Sequence, residues 1–229
     1  MAQLNLKHLA RFISWLDGYA SLSSTDPLKM ERLVNEISSS GRGKKDKGGG
    51  DGDPLARDVT KLWQDVRKDV YDIANLPGES EAIMRVSKRV GIAKLLVPFL
   101  GAGVVLVFLV LSIFGAISVS AYTRIEVIIL AVISYNATLF LYMLYNRRLS
   151  SMVAEYYKKH AGEVASQRRR VKSTVQKLIN MLASRVRARE IDPQRLRFAL
   201  SNTDYANIHV LGEEKSGTRK IVAVKGRGE

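Results

Sequence analysis

Histidines, carboxylates and glycines are the residues here that could do chemistry, and their spacing argues against most of it. His8, His160 and His209 are scattered over the chain with no metal-ligand interval between them. There is no cysteine, which excludes disulfides, thiolate zinc sites, iron–sulfur clusters and cysteine nucleophiles. The pairs Glu79/Glu81 and Glu213/Glu214 fall where turns are expected, and there a carboxylate is ordinarily a solvated charge. Gly48-Gly49-Gly50 suggests a phosphate loop. That motif requires a Gly-Lys-Ser/Thr ending between a strand and a helix, and neither the ending nor the strand is present. No nucleophile elbow, dinucleotide loop or zinc-hydrolase helix occurs. The expectation is a protein without a catalytic residue, metal or cofactor, and with no evident small-molecule substrate.

What remains is electrostatic chemistry. The net charge is +14 over 229 residues, and the stretch Arg147 to Glu190 holds twelve Lys and Arg against three Glu. Arg147, Arg148, Lys158, Lys159, Arg168, Arg169, Arg170 and Lys172 are therefore candidate anion contacts. The first four lie within reach of anionic headgroups, at about 1 kcal/mol for each cation near a membrane surface. The cluster Arg168 to Lys172 falls more than a Debye length of ~8 Å from such a surface. It calls for another anion, a nucleic-acid phosphate or an acidic partner protein.

Those cations need something to hold them at a membrane, and two apolar runs supply it. Leu95 to Thr123 and Val127 to Asn146 carry no charged residue, and each is long enough to cross a bilayer, which takes about 20 residues of helix. Pro98, Gly101, Gly103 and Gly115 weaken the first run only slightly against its Leu, Val, Ile and Phe content. Arg85, Lys88, Arg89 and Lys94 precede the first run, and Arg147, Arg148, Lys158 and Lys159 follow the second. The connection between them carries Arg124 as its one basic residue. The basic bias places both termini in the cytoplasm, with Tyr122 at one interface and Tyr142 and Tyr145 at the other.

Polar residues within these runs suit helix packing. Ser112, Ala116 and Ser120 repeat at i, i+4 and i+8, which permits close approach of two membrane helices. Ser134, Asn136 and Thr138 sit near mid-depth of the second run, where an interhelical hydrogen bond is the ordinary role and a polar pathway the alternative. Neither run holds an ionisable residue inside the bilayer, so a proton relay has no carrier.

The remaining segments must fold around this anchor. Residues 1–40 read as amphipathic helices. Leu9, Ile13, Leu16 and Ala20 share one face with Phe12 and Trp15 beside it, and Lys7, His8, Arg11 and Asp17 interrupt anything resembling a signal peptide. Asp26-Pro27 opens a second helix burying Met30, Leu33, Val34 and Ile37. Residues 41–53, rich in glycine and charge, read as a flexible linker. Residues 54–94 read as cytoplasmic helices. Leu55, Val59, Leu62, Val66, Val70 and Ile73 form one apolar stripe, Leu76-Pro77-Gly78 makes a turn, and Ile83, Val86 and Val90 begin the next stripe.

Residues 95–146 form the transmembrane hairpin. Residues 147–190 form a long basic helix, bent at Gly162, with an apolar stripe (Val164, Val171, Val175, Leu178, Leu182, Val186) that predicts packing against the Leu55 to Ile73 helix. In residues 191–229, Asp192-Pro193 predicts a short helix to about Leu200. A hairpin of Ala206 to Leu211 and Thr218 to Lys225 follows, and it needs a helix face or a partner to be stable.

The fold class expected is a mainly α membrane protein: a two-helix transmembrane hairpin, cytoplasmic helices and a small C-terminal β-hairpin. The function expected is a membrane-anchored interaction protein that presents its basic helical bundle for self-assembly or for assembly with partner subunits. A membrane-tethered nucleic-acid or ribosome binder and a pore or transporter subunit are the alternatives.

Overall fold

In the computed structural model, residues 2–24, 26–40, 54–99, 103, 106, 107, 110, 121–188, 196–214 and 219–225 are described. The expected linker 41–53 lies outside them, as do residues 111–120 of the first apolar run. The chain is mostly helical, with one small sheet, and divides into two units. Residues 1–76 and 159–229 form the first, and residues 77–158 form the second.

The first unit begins with α1 (Ala2–Ala20). Its apolar residues recur every three or four positions, and Leu6, Leu9, Phe12, Ile13, Leu16 and Tyr19 are all buried. This helix packs inside the bundle, on α6 (Ala165–Ala188), α2 (Pro27–Ser40), α3 (Pro54–Asn75) and the sheet. Its C-terminus closes with the Ser23 amide donating to the Gly18 carbonyl at 2.8 Å and the Leu22 amide to the Tyr19 carbonyl at 3.1 Å. Leu22 takes φ 59° to allow this. The pair of bonds is a Schellman ending, and leucine occupies the left-handed position that glycine usually fills.

The stripe on α3 is buried at Leu55, Val59, Val66, Val70 and Ile73 as its spacing predicts, but Leu62 is only half-buried and Trp63 takes the inner place. The reason is a partner: the Trp63 ring meets Phe12 of α1 edge to face, with centroids 6.3 Å apart at 80°. On α6, Val171, Val175, Leu178, Ile179, Leu182 and Val186 are buried. The expected packing of this basic helix against α3 is present, with α1 as a further neighbour.

The long helix predicted from residue 147 to residue 190 is two helices. α5 (Ala121–His160) ends at a turn over residues 161–164, and α6 starts at Ala165. Gly162 thus interrupts the helix where a bend was expected. His160 Nδ1 and Glu163 Oε1 meet at 2.6 Å across the turn, and the Ala165 amide donates to the Gly162 carbonyl.

The C-terminal sheet corrects another expectation. β1 (Phe198–Leu200), β2 (Ile208–Glu213) and β3 (Lys220–Val224) form an antiparallel sheet in the order β1-β3-β2. The β2–β3 hairpin matches the sequence reading. Residues 198–200, expected to end a helix, form a strand that pairs Phe198 with Val222 and Leu200 with Lys220. Phe198 and Leu200 are buried, and the strand satisfies the edge of β3 that a lone hairpin would leave open, while residues 191–195 of the expected helix lie outside the described residues. β1 also rests on α1, which supplies the helix face the hairpin requires.

The second unit contains the end of the 3₁₀ turn Leu76–Glu79, then α4 (Glu81–Pro98), then α5 up to Lys158. Ser80 caps α4, its hydroxyl accepting from the Ile83 amide at 3.5 Å. α5 is 40 residues long, about 60 Å at 1.5 Å per residue and well beyond the ~30 Å hydrocarbon thickness of a bilayer.

Candidate interaction surfaces

Among the described residues one helix, Ile129–His160, is long and apolar enough to cross a membrane by length and composition. Between Ile129 and Leu144 only Ala131 is buried. Ile129, Leu130, Val132, Ile133 and Tyr135 are all exposed, although at 100° per residue they point around the whole circumference. An amphipathic helix on a soluble core exposes its polar face instead. In the first apolar run, Leu95 and Phe99 are 75% and 72% exposed.

The membrane-packing residues divide. Ser112, Ala116 and Ser120 lie outside the described residues. Asn136 Nδ2 donates to the Val132 carbonyl at 2.7 Å, and Thr138 Oγ1 donates to the Ser134 carbonyl at 2.8 Å. Both polar side chains are therefore bonded within their own helix, four residues back.

The basic residues divide as well. Arg147, Arg148, Lys158, Lys159 and Arg169 are exposed. Arg170 instead grips Asp69 of α3 with two parallel bonds, Nε to Oδ2 at 2.8 Å and Nη2 to Oδ1 at 2.5 Å. Hydrogen bonding to that carboxylate holds the Arg170 guanidinium above its ordinary range. Lys172 binds Asp204, which it keeps below the usual carboxylate range. Arg168 Nε donates to the Ala20 carbonyl at 2.9 Å, placing a cation at the negative end of α1. Arg185 lies 3.8 Å from Asp58. Most of the cluster that seemed to call for an external anion has internal partners, contributed by segments up to 148 residues away in sequence.

The most connected polar side chain escaped the sequence reading. Asp17 is fully buried on the apolar side of α1. It accepts from the Tyr205 hydroxyl at 2.7 Å, Asn202 Nδ2 at 2.7 Å, the Ser201 amide at 2.6 Å and the Asn202 amide at 3.3 Å. Four donors fill the acceptor sites of a carboxylate. Burial, reinforced by the Asp17 charge, pushes the Tyr205 phenol far above its ordinary range. Beside this cage the Ser14 hydroxyl donates to the Ala199 carbonyl at 2.6 Å, and Gln176 of α6 both accepts from the Ala206 amide and donates to the Ala206 carbonyl. The segment from β1 to β2 is thereby tied to α1 and α6. A signal was available: Asp17 stands four residues after Ile13 and one after Leu16, in the stripe where an acid has no water. With its acceptor sites filled and no nucleophile in contact, the carboxylate serves as a tether.

No group of His, Asp and Glu suited to a metal ion occurs among the described residues. In comparisons with known proteins, no family model, no curated protein and no solved structure matches the chain.

Proposed function

We propose that this chain is a membrane-anchored interaction protein. Residues 95–146 form a two-helix transmembrane hairpin, both termini are cytoplasmic, and the helical unit with its small sheet is presented at the membrane for self-assembly or for assembly with partner subunits. The observation that carries the reading is the exposure of α5 on all sides from Ile129 to Leu144. A helix apolar around its circumference needs lipid or protein to cover it, and the uncharged run Leu95 to Thr123 supplies a second crossing that returns the chain to its starting side.

The organisation of the folded unit adds support. It is built from both ends of the chain, residues 1–76 and 159–229, so a hairpin inserted between them leaves the bundle whole on one side of the bilayer. Arg147, Arg148, Lys158 and Lys159 remain exposed at the expected cytoplasmic flank, where anionic headgroups would meet them. A nucleic-acid role loses support to the same degree that Arg168, Arg170 and Lys172 are engaged internally.

Alkaline carbonate extraction of membranes from expressing cells tests the anchor, and the expected result is that the full chain stays with the lipid. Release into the supernatant contradicts the reading. Crosslinking in those membranes tests assembly: a ladder of copies or a discrete heteromeric band is expected, and an uncrosslinked monomer throughout contradicts it.

A further inference from the structure

A cavity of about 520 Å³ lies where α1, α2 and the start of β3 meet. That volume falls in the range of about 300–1,000 Å³ typical of small-molecule sites. Three arginines reach it from three distant segments: Arg11 from α1, Arg32 from α2 and Arg219 from the residue before β3. Arg219 reaches across to α1, since a Cβ built on Gly18 would lie 3.4 Å from its Nη2.

Four arginines elsewhere meet acids: Arg67 meets Glu31 at 2.6 Å, Arg85 meets Glu81 at 2.7 Å, Arg170 meets Asp69 and Arg185 meets Asp58. None of Arg11, Arg32 and Arg219 forms an ion pair among the described residues, and Asp26 at the rim is matched to Lys29 at 3.6 Å. Arg11 instead lies over the Trp15 ring, 4.6 Å from its centroid, which braces the guanidinium and gives the cavity an aromatic wall.

Tyr19 adds a second, independent observation. It is 1% exposed, lines the same cavity beside Ser24 and Asp26, and its hydroxyl, with Ser24 beside it, closes no hydrogen bond of ordinary geometry among the described residues. A buried hydroxyl so placed favours an acceptor brought in by a ligand. Four cations, Arg11, Lys29, Arg32 and Arg219, line the cavity against two carboxylates, Asp26 and Glu36, which leaves an excess of positive charge that a bound anion would offset.

From this convergence we infer that the cavity binds a small organic phosphate, with Arg11, Arg32 and Arg219 holding the phosphoryl oxygens, Trp15 lining the organic part and Tyr19 donating to one acceptor atom. A phosphomonoester carries about −1.5 to −2 at neutral pH, which offsets most of the unmatched positive charge, and guanidinium forks suit its oxygens geometrically. The phosphate can belong to a free metabolite of nucleotide size or to a lipid headgroup.

The test is calorimetric titration of the full-length protein in detergent micelles with AMP, with inorganic phosphate, and with dihexanoyl phosphatidic acid. Saturable binding of AMP or of the short-chain lipid is expected, with inorganic phosphate weaker. AMP binding assigns the site to a free phosphate, and binding of the lipid alone assigns it to a headgroup. Arg32→Gln and Arg219→Gln should each weaken binding about tenfold, Tyr19→Phe should weaken it several-fold, and Lys61→Gln, an exposed cation outside the cavity lining, should leave it unchanged. The proposal is overturned if no probe binds saturably to the wild-type protein with unchanged circular dichroism, or if Lys61→Gln weakens binding as much as the cavity variants. Either failure leaves the membrane anchor untouched, because α5 contributes nothing to this cavity.

Discussion

Asp17 accepts the Tyr205 hydroxyl at 2.7 Å across 188 residues of chain, so the first helix and the segment that leads into the last two strands are fastened to one another through a fully buried carboxylate. Removing the acceptor leaves four donors without it, the Tyr205 hydroxyl buried and the Ser201 and Asn202 groups part-buried. Asp17→Ala should destabilise the protein by about 3 kcal/mol or more, and Tyr205→Phe by about 1–2 kcal/mol. Urea unfolding of the full chain in micelles measures both, and a double-mutant cycle should show strong coupling. Losses that simply add would mean that the two groups do not act as one unit.

The buried phenols predict an alkaline limit. Burial raises the Tyr19 phenol to about 12 and pushes Tyr205 up as well, whereas an unfolded tyrosine ionises near 10. A folded-state pKa above the unfolded value contributes stability that is fully present below pH ~10 and is lost as pH rises through the folded value. The unfolding midpoint should therefore fall between pH 10 and 12 more steeply in the wild type than in Tyr19→Phe or Tyr205→Phe. Parallel curves for all three proteins would contradict this.

The Arg170–Asp69 pair is asymmetric. The Asp69 side chain is 8% exposed while that of Arg170 is 58% exposed, so removing the arginine leaves a buried charge alone and removing the acid leaves a cation that water can solvate. Arg170→Ala should therefore lower the melting temperature more than Asp69→Asn does, with solvent screening on the arginine side keeping both effects modest. The opposite order in thermal melts would show that the pair stabilises by another route.

Leu22 holds a left-handed backbone at the end of α1, a conformation that costs roughly 1–2 kcal/mol for a residue with a side chain. Leu22→Gly should relieve part of that strain and raise the melting temperature by a few degrees, the shift about 1 kcal/mol gives a domain of this size. A lower melting temperature would mean that the half-buried leucine side chain contributes more than its backbone costs.

Elements whose partners are neighbours in pattern were legible in the sequence. The stripe from Leu55 to Ile73, the buried face of α1 and the β2–β3 hairpin all follow from periodicity. Features decided by distant segments were not. β1 takes the place of the end of an expected helix because β3 and α1 receive Phe198 and Leu200, and Trp63 displaces Leu62 because Phe12 lies opposite. The cations of α6 looked like an external surface because their acids, Asp69 and Asp204, lie 101 and 32 residues away. Asp17 was the reverse case: its position in an apolar stripe was visible, but its donors were not.

The central claim is the anchor and its orientation, and single-cysteine labelling tests it most directly, because the native chain contains no cysteine. Cysteines are placed one at a time at Ser39, Thr123 and Ser216 and exposed to a membrane-impermeant maleimide in intact cells. The account predicts labelling at Thr123 alone, with Ser39 and Ser216 reacting only after permeabilisation, as the proposed orientation from the basic flanks requires. Labelling of Ser39 or Ser216 in intact cells, or protection of Thr123 until permeabilisation, would contradict it.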